Sequence, residues 1–274
     1  TWHSNKIATV NWQVQELGSG IENVWAYSSS NPIEETTTIS SEGTEKNATD
    51  SFTTTDLSNG TWYLHLLAKD NTDKTIYTKY IIKVDSLTPD IVDITGSYEG
   101  TWQNVDSGPT ISWTNPNSIS GNTFYITNNG SEPTSANYIY STTSTSYNLP
   151  AQKQGETTIK VRAINGASTY SLSRSFIIKF DSIAPTNVSS LKAECLTDGV
   201  QLSWTNPTER DLQKVVVIRN ANRTPLNVSD GIKIYEGTSN TYLDKVFSEE
   251  ATYYYAIYAY DTVGNISSGA VTSI

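Results

Sequence analysis

The sequence has few of the residues that most catalytic and metal sites require. It contains one cysteine, Cys195, and two histidines, His3 and His65, among 274 residues. One cysteine excludes an intrachain disulfide. Because His3 lies at the terminus and His65 within a strand pattern, we expect no Ser–His–Asp triad, Cys–His pair or histidine-rich metal site. A glycine-rich phosphate loop is also missing. The sequence therefore predicts a chain that is not an enzyme.

Charge and long apolar runs are scarce too. Charged residues make up 17% of the chain, and the formal net charge is −10. An acidic chain repels phosphate backbones and anionic lipid, so we expect no nucleic-acid partner. No run is long enough to insert in a membrane, and with no methionine and Thr1 at the start we expect a mature or excised piece.

An internal repeat is the main feature that is present. The segment Tyr80–Pro89 reappears as Phe176–Pro185, and both contain the pattern Ile-Ile-Lys, Asp-Ser and Pro. A second pair keeps a similar spacing: Ile111–Pro116 returns as Leu202–Pro207, with Trp113 and Trp204 in register. Trp12 lies in a fainter first copy. Each repeat combines short alternating strands with Gly, Pro and Asn turns, which is typical of a β-sandwich.

The repeat predicts an all-β fold of three tandem immunoglobulin-like or fibronectin type III sandwiches, each of about 95 residues. We name them the first module (1–86), the second module (87–182) and the third module (183–274). A proline at each junction stiffens the link, which favours an extended array.

Strand alternation predicts the direction of individual side chains. In the first module Trp62, Leu64, Leu66 and Ala68 are expected to face the core, which directs His65 outward. In the second, Ile159, Val161 and Ala163 are expected to face inward. In the third, Tyr253, Tyr255, Ile257 and Ala259 point inward, whereas Tyr254, Tyr258 and Tyr260 point outward. Trp12, Trp113 and Trp204 are expected to fill the three cores.

Parts of the chain resemble known bacterial modules. The third module resembles a fibronectin type III domain through Leu202–Pro207, Val215–Arg219 and Thr252–Asp261. The second resembles the immunoglobulin-like module at the C-terminus of chitobiase-type glycosidases through Phe124–Thr134 and Thr157–Ala163. The first resembles, through Gly60–Leu64, the immunoglobulin-like repeats of Gram-positive surface proteins. These resemblances imply a bacterial multidomain protein that is secreted or attached to the cell surface.

Two kinds of candidate binding residue stand out. Asp85, Asp181 and Asp261 lie at junctions or hairpins, where carboxylates could bind calcium, although such residues also cap turns. No other cofactor is expected. Exposed aromatic rings could stack on sugars, although strand tyrosines commonly pair across strands. The stacking candidates are Trp25, Tyr27, Trp102, Tyr254, Tyr258 and Tyr260.

Three functions remain open. The first is a structural stalk or spacer of a bacterial surface or secreted protein, with the other domains of the same polypeptide as partners. The second is an adhesin-like module that binds cell-wall or host glycans or proteins. The third is a set of accessory domains of a secreted glycoside hydrolase. Fold alone does not decide among them.

Overall fold

The chain consists almost entirely of β-strands. The computed structural model describes residues 1–15, 18–104, 108–245 and 251–274. Strands account for 51% of the chain and helix for 3%, which confirms the predicted all-β class. In the part of the chain that the structure describes, no helix is long and apolar enough to cross a membrane.

Two compact units divide the chain by Cα proximity. One contains Thr1–Ser97, Thr110–Asn148 and Thr158–Phe176. The other contains Tyr98–Pro109, Leu149–Thr157 and Ile177–Ile274. The module boundaries at 86 and 182 stay predictions.

The first module has a five-stranded sheet and a two-stranded sheet. Its elements are β1 (Trp2–His3), β2 (Thr9–Gln13), β3 (Ile21–Ser29), α1 (Thr36–Glu42), β4 (Thr44–Lys46), β5 (Thr49–Thr53), β6 (Gly60–Asp70) and β7 (Thr75–Val84). The strand orders are β1-β7-β6-β3-β4 and β2-β5. Strand β1 pairs with β7 in parallel, whereas the pairs β2–β5, β3–β4, β3–β6 and β6–β7 are antiparallel. Ala26, Leu64 and Ile82 lie in the core between the sheets.

The second module contributes a three-stranded and a five-stranded sheet. Its strands are β8 (Ile94–Gly96), β9 (Trp102–Gln103), β10 (Thr110–Trp113), β11 (Asn122–Thr127), β12 (Tyr140–Thr142), β13 (Ser146–Asn148), β14 (Gly155–Asn165) and β15 (Arg174–Phe180). The orders are β13-β10-β8 and β12-β11-β14-β15-β9. Ile159, Val161 and Ala163 are buried, as their alternation predicts.

The third module has three and four strands in its two sheets. They are β16 (Ser189–Leu196), β17 (Gly199–Thr205), β18 (Leu212–Asn220), β19 (Ile232–Gly237), β20 (Thr241–Asp244), β21 (Tyr254–Asp261) and β22 (Ala270–Ser273). The orders are β16-β17-β20 and β19-β18-β21-β22. Seven strands in two antiparallel sheets are what the predicted sandwich requires. Tyr255, Ile257 and Ala259 are fully buried, each contributing apolar area to the core.

The three repeated tryptophans differ in burial. Trp113 is 5% exposed and Trp204 is 4% exposed, so both fill their cores as predicted. Trp12 is only half-buried and packs at the margin of its core, with Nε1 donating to the Asn47 carbonyl at 3.3 Å. The prediction of a core tryptophan is therefore too strong for the first module.

His65 is buried, which corrects the expectation that its strand position leaves it exposed. The residue is fully inaccessible although it faces away from the core. The segment after β3 folds back over that face: α1 packs on β3 and β6, and Ile39 of α1 is itself buried. The alternation of β6 is correct, but a second layer covers its outer face.

Candidate functional site: surface aromatics, a buried histidine and two carboxylate junctions

The six predicted stacking aromatics lie on three different strands. Trp25 and Tyr27 are on β3, Trp102 is on β9, and Tyr254, Tyr258 and Tyr260 are on β21. Trp25 and Tyr27 are half-buried, and the Tyr27 hydroxyl donates to Glu42 at 3.3 Å. Partial burial and the Glu42 carboxylate raise the pKa of Tyr27. Tyr27 is thus held by its own module rather than left free.

Tyr258 is a correction to the predicted stacking set. It faces away from the core as predicted, but only 4% of its surface is exposed. Its hydroxyl donates to the Pro225 carbonyl at 3.2 Å, and Val228 packs on the same cluster as Val216. The segment between β18 and β19 therefore covers the ring, which is unavailable to a sugar.

The remaining aromatics differ in access. Trp102 is 41% exposed, whereas Tyr254 and Tyr260 are half-buried. Lys179 Nζ lies 5.9 Å from the Trp102 ring centroid, and Lys214 Nζ lies 5.2 Å from that of Tyr260. These cations occupy part of each ring face. Trp102 is the stacking candidate with the most open surface.

A buried polar network surrounds His65. Nε2 lies 3.2 Å from Ser29 Oγ and 3.1 Å from the Asn31 carbonyl, and Nδ1 lies 2.7 Å from the Tyr77 hydroxyl. These partners fit a neutral ring with its proton on Nε2. Burial lowers the pKa of His65, against smaller opposing effects of Asn31 and Glu34.

The Ser29–His65 contact is structural rather than catalytic. Ser29 Oγ donates to Glu34 at 2.6 Å, so its proton is directed away from the imidazole. Both residues are buried, and a nucleophile activated by histidine must reach its substrate. Their hydrogen bonds hold the covering segment on the sheet.

Asp85 is the hydrogen-bonded centre of the first junction. Its carboxylate is fully buried. One oxygen, Oδ2, accepts from Ser118 Oγ at 3.1 Å, from Ile119 N at 3.2 Å, and from Ser120 N and Oγ at 3.0 and 2.5 Å. The other oxygen accepts from Leu87 N at 3.2 Å. Burial by itself raises the pKa of Asp85, but hydrogen bonds from Ser120, Leu87 and Ser118 outweigh it and lower the pKa.

The structure separates Asp85 from the other calcium candidates. Both carboxylate oxygens of Asp85 already accept hydrogen bonds from protein donors. This agrees with the alternative interpretation, in which the aspartate caps a turn. In contrast, Asp181 and Asp261 come together with a third residue, Asp211. One carboxylate oxygen from each lies within 4.8 Å of the other two. Asp211 was not predicted as a ligand.

The second junction repeats the first with different chemistry. At the repeat spacings of 91 and 96 residues, Ser120 corresponds to Asp211 and Asn165 corresponds to Asp261. The hairpin role is shared: Asn165 Oδ1 accepts from Ala167 N and Thr169 N, and Asp261 Oδ1 accepts from Val263 N and Asn265 N. The hydroxyl and amide of the first junction are thus replaced by carboxylates.

The three carboxylates offer a set of ligands that suits a hard cation. Calcium prefers oxygen ligands, and closely spaced carboxylates repel one another unless a cation or proton intervenes. Asp181 Oδ1 also accepts from Gln154 Nε2 at 2.6 Å and from Ile183 N at 3.0 Å, which fixes the orientation of its carboxylate. The Asn265 amide donates to the Asp181 carbonyl at 2.9 Å.

A buried ion pair in the third module has no signal in the sequence. Arg219 Nη1 donates to both oxygens of Asp244, at 2.9 and 2.8 Å, and the Tyr255 hydroxyl donates to Asp244 at 3.1 Å. Burial, followed by the Asp244 charge, raises the pKa of Tyr255. The pair sits beside the core, where loss of one partner leaves an uncompensated charge.

Comparisons with known proteins give structural similarity only. A scan of protein families and a search of curated proteins each found no match. Among solved structures, a titin fragment matches at 12% identity and a TM-score of 0.47, covering 99% of this chain and 94% of that one. The FN1–FN3 domains of chicken CNTN1 match at 12% and 0.39, over 98% and 94%.

A third structure is bacterial. The fibronectin(III)-like modules of Clostridium thermocellum CbhA match at 16% identity and a TM-score of 0.37, covering 67% of this chain and 92% of that one. The sheet orders of this chain themselves define its class, which is that of immunoglobulin-like and fibronectin type III β-sandwiches.

Proposed function

We propose that this chain is a non-catalytic structural stalk or spacer within an extracellular bacterial multidomain protein. The observation that carries the proposal is the Asp85 network, in which a buried carboxylate at the end of the first module is hydrogen-bonded by the 118–120 loop of the second. A second bond supports it, because the Asn165 amide donates to the Leu87 carbonyl at 2.9 Å. A chain that spaces other domains needs such fixed junctions.

Small-angle scattering of the intact chain tests the spacer. The proline junctions predict an elongated particle. A compact, globular envelope would contradict a spacing role. The other domains of the same polypeptide, including a secreted glycoside hydrolase as one alternative, are its expected partners.

Glycan binding is the second candidate, and the exposure of Trp102 favours it. A glycan array with the wild type and Trp102→Ala would test this function. Tyr258→Phe is the matched control because that ring is covered. A sugar-stacking surface would be supported if Trp102→Ala abolishes glycan binding and Tyr258→Phe retains it. If neither the wild type nor Tyr258→Phe binds any glycan, the spacer role is the only one of these two functions left.

Calcium at Asp181, Asp211 and Asp261 would stiffen the second junction. We expect calcium to raise the melting temperature of the wild type above that in chelator, since a ligand bound only to the folded state stabilises it. Asp211→Ser, which copies Ser120 of the first junction, should abolish the difference. Asp198→Ser, at an exposed turn, is the control. Identical wild-type midpoints with calcium and with chelator would sink the idea.

A further inference from the structure

The five-stranded sheet of the second module carries tyrosines and an arginine on its outer face. Phe124 and Ile126 of β11 are buried in the core, so strand alternation directs Tyr125 outward. Tyr125 lies directly opposite Arg162 of β14 in the antiparallel register. The ring of Tyr138, in the loop between β11 and β12, packs on Tyr125 with the two ring centroids 5.0 Å apart.

Tyr170 completes this cluster from the hairpin between β14 and β15. The Arg162 guanidinium lies over its ring, with Cζ 4.5 Å from the ring centroid. The Tyr170 hydroxyl accepts from Ser135 N at 3.2 Å and donates to Ser135 Oγ at 3.3 Å, which ties the hairpin to the loop that carries Tyr138. The four residues Tyr125, Tyr138, Arg162 and Tyr170 form a continuous surface, here named the tyrosine–arginine platform.

The same position in the third module is apolar and covered. Val216 and Tyr258, at the repeat spacings of 91 and 96 residues, lie opposite each other on β18 and β21. Both are 4% exposed beneath the segment between β18 and β19. Tyr125 and Arg162 are half-buried instead, and Tyr138 is 47% exposed. The second module therefore has an accessible aromatic surface with a cation where the third has a packed layer.

The Arg162 guanidinium keeps donors that its own module does not use. Nε donates to the Ser171 carbonyl at 2.7 Å. Among the residues that the structure describes, its two terminal nitrogens have no hydrogen-bond acceptor. A guanidinium presents its donors as a planar fork that matches the two oxygens of a carboxylate. The Tyr170 ring and the bond to Ser171 hold this fork in place before any ligand arrives.

Local charge favours an anionic ligand although the whole chain has a net charge of −10. Residues 122–138 and 158–174 contain three cations and one carboxylate, namely Lys160, Arg162, Arg174 and Glu132. Glu132 forms a salt bridge with Lys160, and Arg174 Nη2 lies 3.8 Å from Asp93 Oδ1. Within the described part of these segments, Arg162 is the cation without a salt-bridge partner.

We propose that the tyrosine–arginine platform binds an acidic glycan, a saccharide whose pyranose ring carries a carboxylate. The carboxylate would accept from the terminal nitrogens of Arg162, and the apolar face of the sugar would stack on the exposed Tyr138 ring. The arginine alone would suit an acidic polypeptide equally well. The flat ring beside it favours a glycan, because an aspartate or glutamate side chain offers no apolar face to cover a tyrosine.

This site is independent of the functions proposed above. Trp102, the earlier stacking candidate, belongs to the other compact unit, whereas all four platform residues lie in the unit that contains Thr110–Asn148 and Thr158–Phe176. The spacer role requires no ligand at the platform. Failure of either proposal therefore leaves the other to be judged by its own experiment.

Trigalacturonate is the probe, and its methyl ester is the matched control because esterification removes the charge and keeps the sugar rings. In an NMR titration of the intact chain, trigalacturonate should shift the Arg162 Nε–H signal and the amides of the platform. The ester should bind about tenfold or more weakly, since it loses the charge-assisted hydrogen bonds. Added salt should weaken binding of the acid, because it screens partly exposed charges.

Three variants locate the binding. Arg162→Gln removes the charge and the fork and should weaken binding about tenfold or more. Arg174→Gln makes the same change of charge at the residue beside Asp93 and should bind as the wild type does. Because Arg162 also bonds to Ser171, Tyr138→Ala provides a second test at an exposed ring, with an expected loss of about two- to tenfold.

Four results would each overturn the proposal. One is an unchanged platform spectrum at the solubility limit of trigalacturonate. Another is equal binding of the acid and its ester, which would show that the charge is not recognised. Equal binding of triglutamate would assign the platform to an acidic polypeptide. An equal loss in Arg174→Gln and Arg162→Gln would reduce the effect to diffuse attraction.

Discussion

Ser120 donates twice to one oxygen of Asp85, from its amide at 3.0 Å and from its hydroxyl at 2.5 Å. Asp211 stands at the position of Ser120 in the next repeat, so a carboxylate replaces the hydroxyl that donates to Asp85. The first junction is therefore satisfied by hydrogen bonds alone, whereas the second gathers negative charge. Two substitutions, Ser120 to Asp211 and Asn165 to Asp261, thus distinguish a hydrogen-bonded junction from a candidate cation site.

Asp85→Ala should destabilise the chain by about 2–4 kcal/mol, because it leaves the donors of Ser118, Ile119 and Ser120 without their acceptor. Urea unfolding of the intact chain measures the loss. Asp56→Ala is the control, since the Asp56 side chain is 71% exposed and lies 3.9 Å from Lys6. The control should change stability by less than about 0.5 kcal/mol.

The Asp85 contribution should depend on pH. Its folded pKa lies below the unfolded value of about 3.9, so the ionised carboxylate stabilises the fold above that pH. The contribution is lost as pH falls through the lowered folded pKa. The stability difference between the wild type and Asp85→Asn should be constant from about pH 5 to 7 and shrink below about pH 4. A difference that does not vary with pH would contradict this account.

His65 should make the first module weaker in mild acid. Its folded pKa is lowered mainly by burial, so the unfolded chain binds a proton first as pH falls. Stability is complete above the unfolded pKa of about 6.5 and declines as pH falls towards the lowered folded value. Thermal melts of the wild type and His65→Gln from pH 8 to about 5 measure the slope, which the variant should lack.

Tyr258 should matter for stability and not for ligands. Tyr258→Phe loses one hydrogen bond to the Pro225 carbonyl and should cost about 1 kcal/mol. Tyr258→Ala should cost about 3–5 kcal/mol because it leaves a cavity beneath the covering segment. Denaturant titration measures both. Equal stability of the wild type and Tyr258→Ala would show that the segment does not pack on the ring.

Periodicity predicted most of the strand faces because side-chain direction follows directly from the backbone pleat. The inward positions of Ile159, Val161, Tyr255 and Ile257 follow from this rule alone. The exposure of a side chain does not follow from this rule, because it depends on which other segments cover that face of the sheet. His65 and Tyr258 both face away from their cores, and in each case a connecting segment covers them. The sequences of residues 30–43 and 221–231 have no periodic pattern that predicts their packing over His65 and Tyr258.

The candidate site was predictable only in part, for a related reason. Asp181 stands out because it repeats Asp85 at the next junction, and Asp261 because it lies at a hairpin; the structure brings the two together. Asp211 lies in a loop whose path sets the distance, so its place in the cluster required coordinates.

The junction between the first two modules is the part of the spacer proposal that can be measured most directly. Pulsed electron–electron double resonance would use spin labels on Thr36→Cys and Thr143→Cys, two exposed positions, in a Cys195→Ser background. A junction held by Asp85 predicts one narrow distance distribution that broadens in Asp85→Ala. A broad distribution in the parent chain, or one that Asp85→Ala leaves unchanged, would contradict the account.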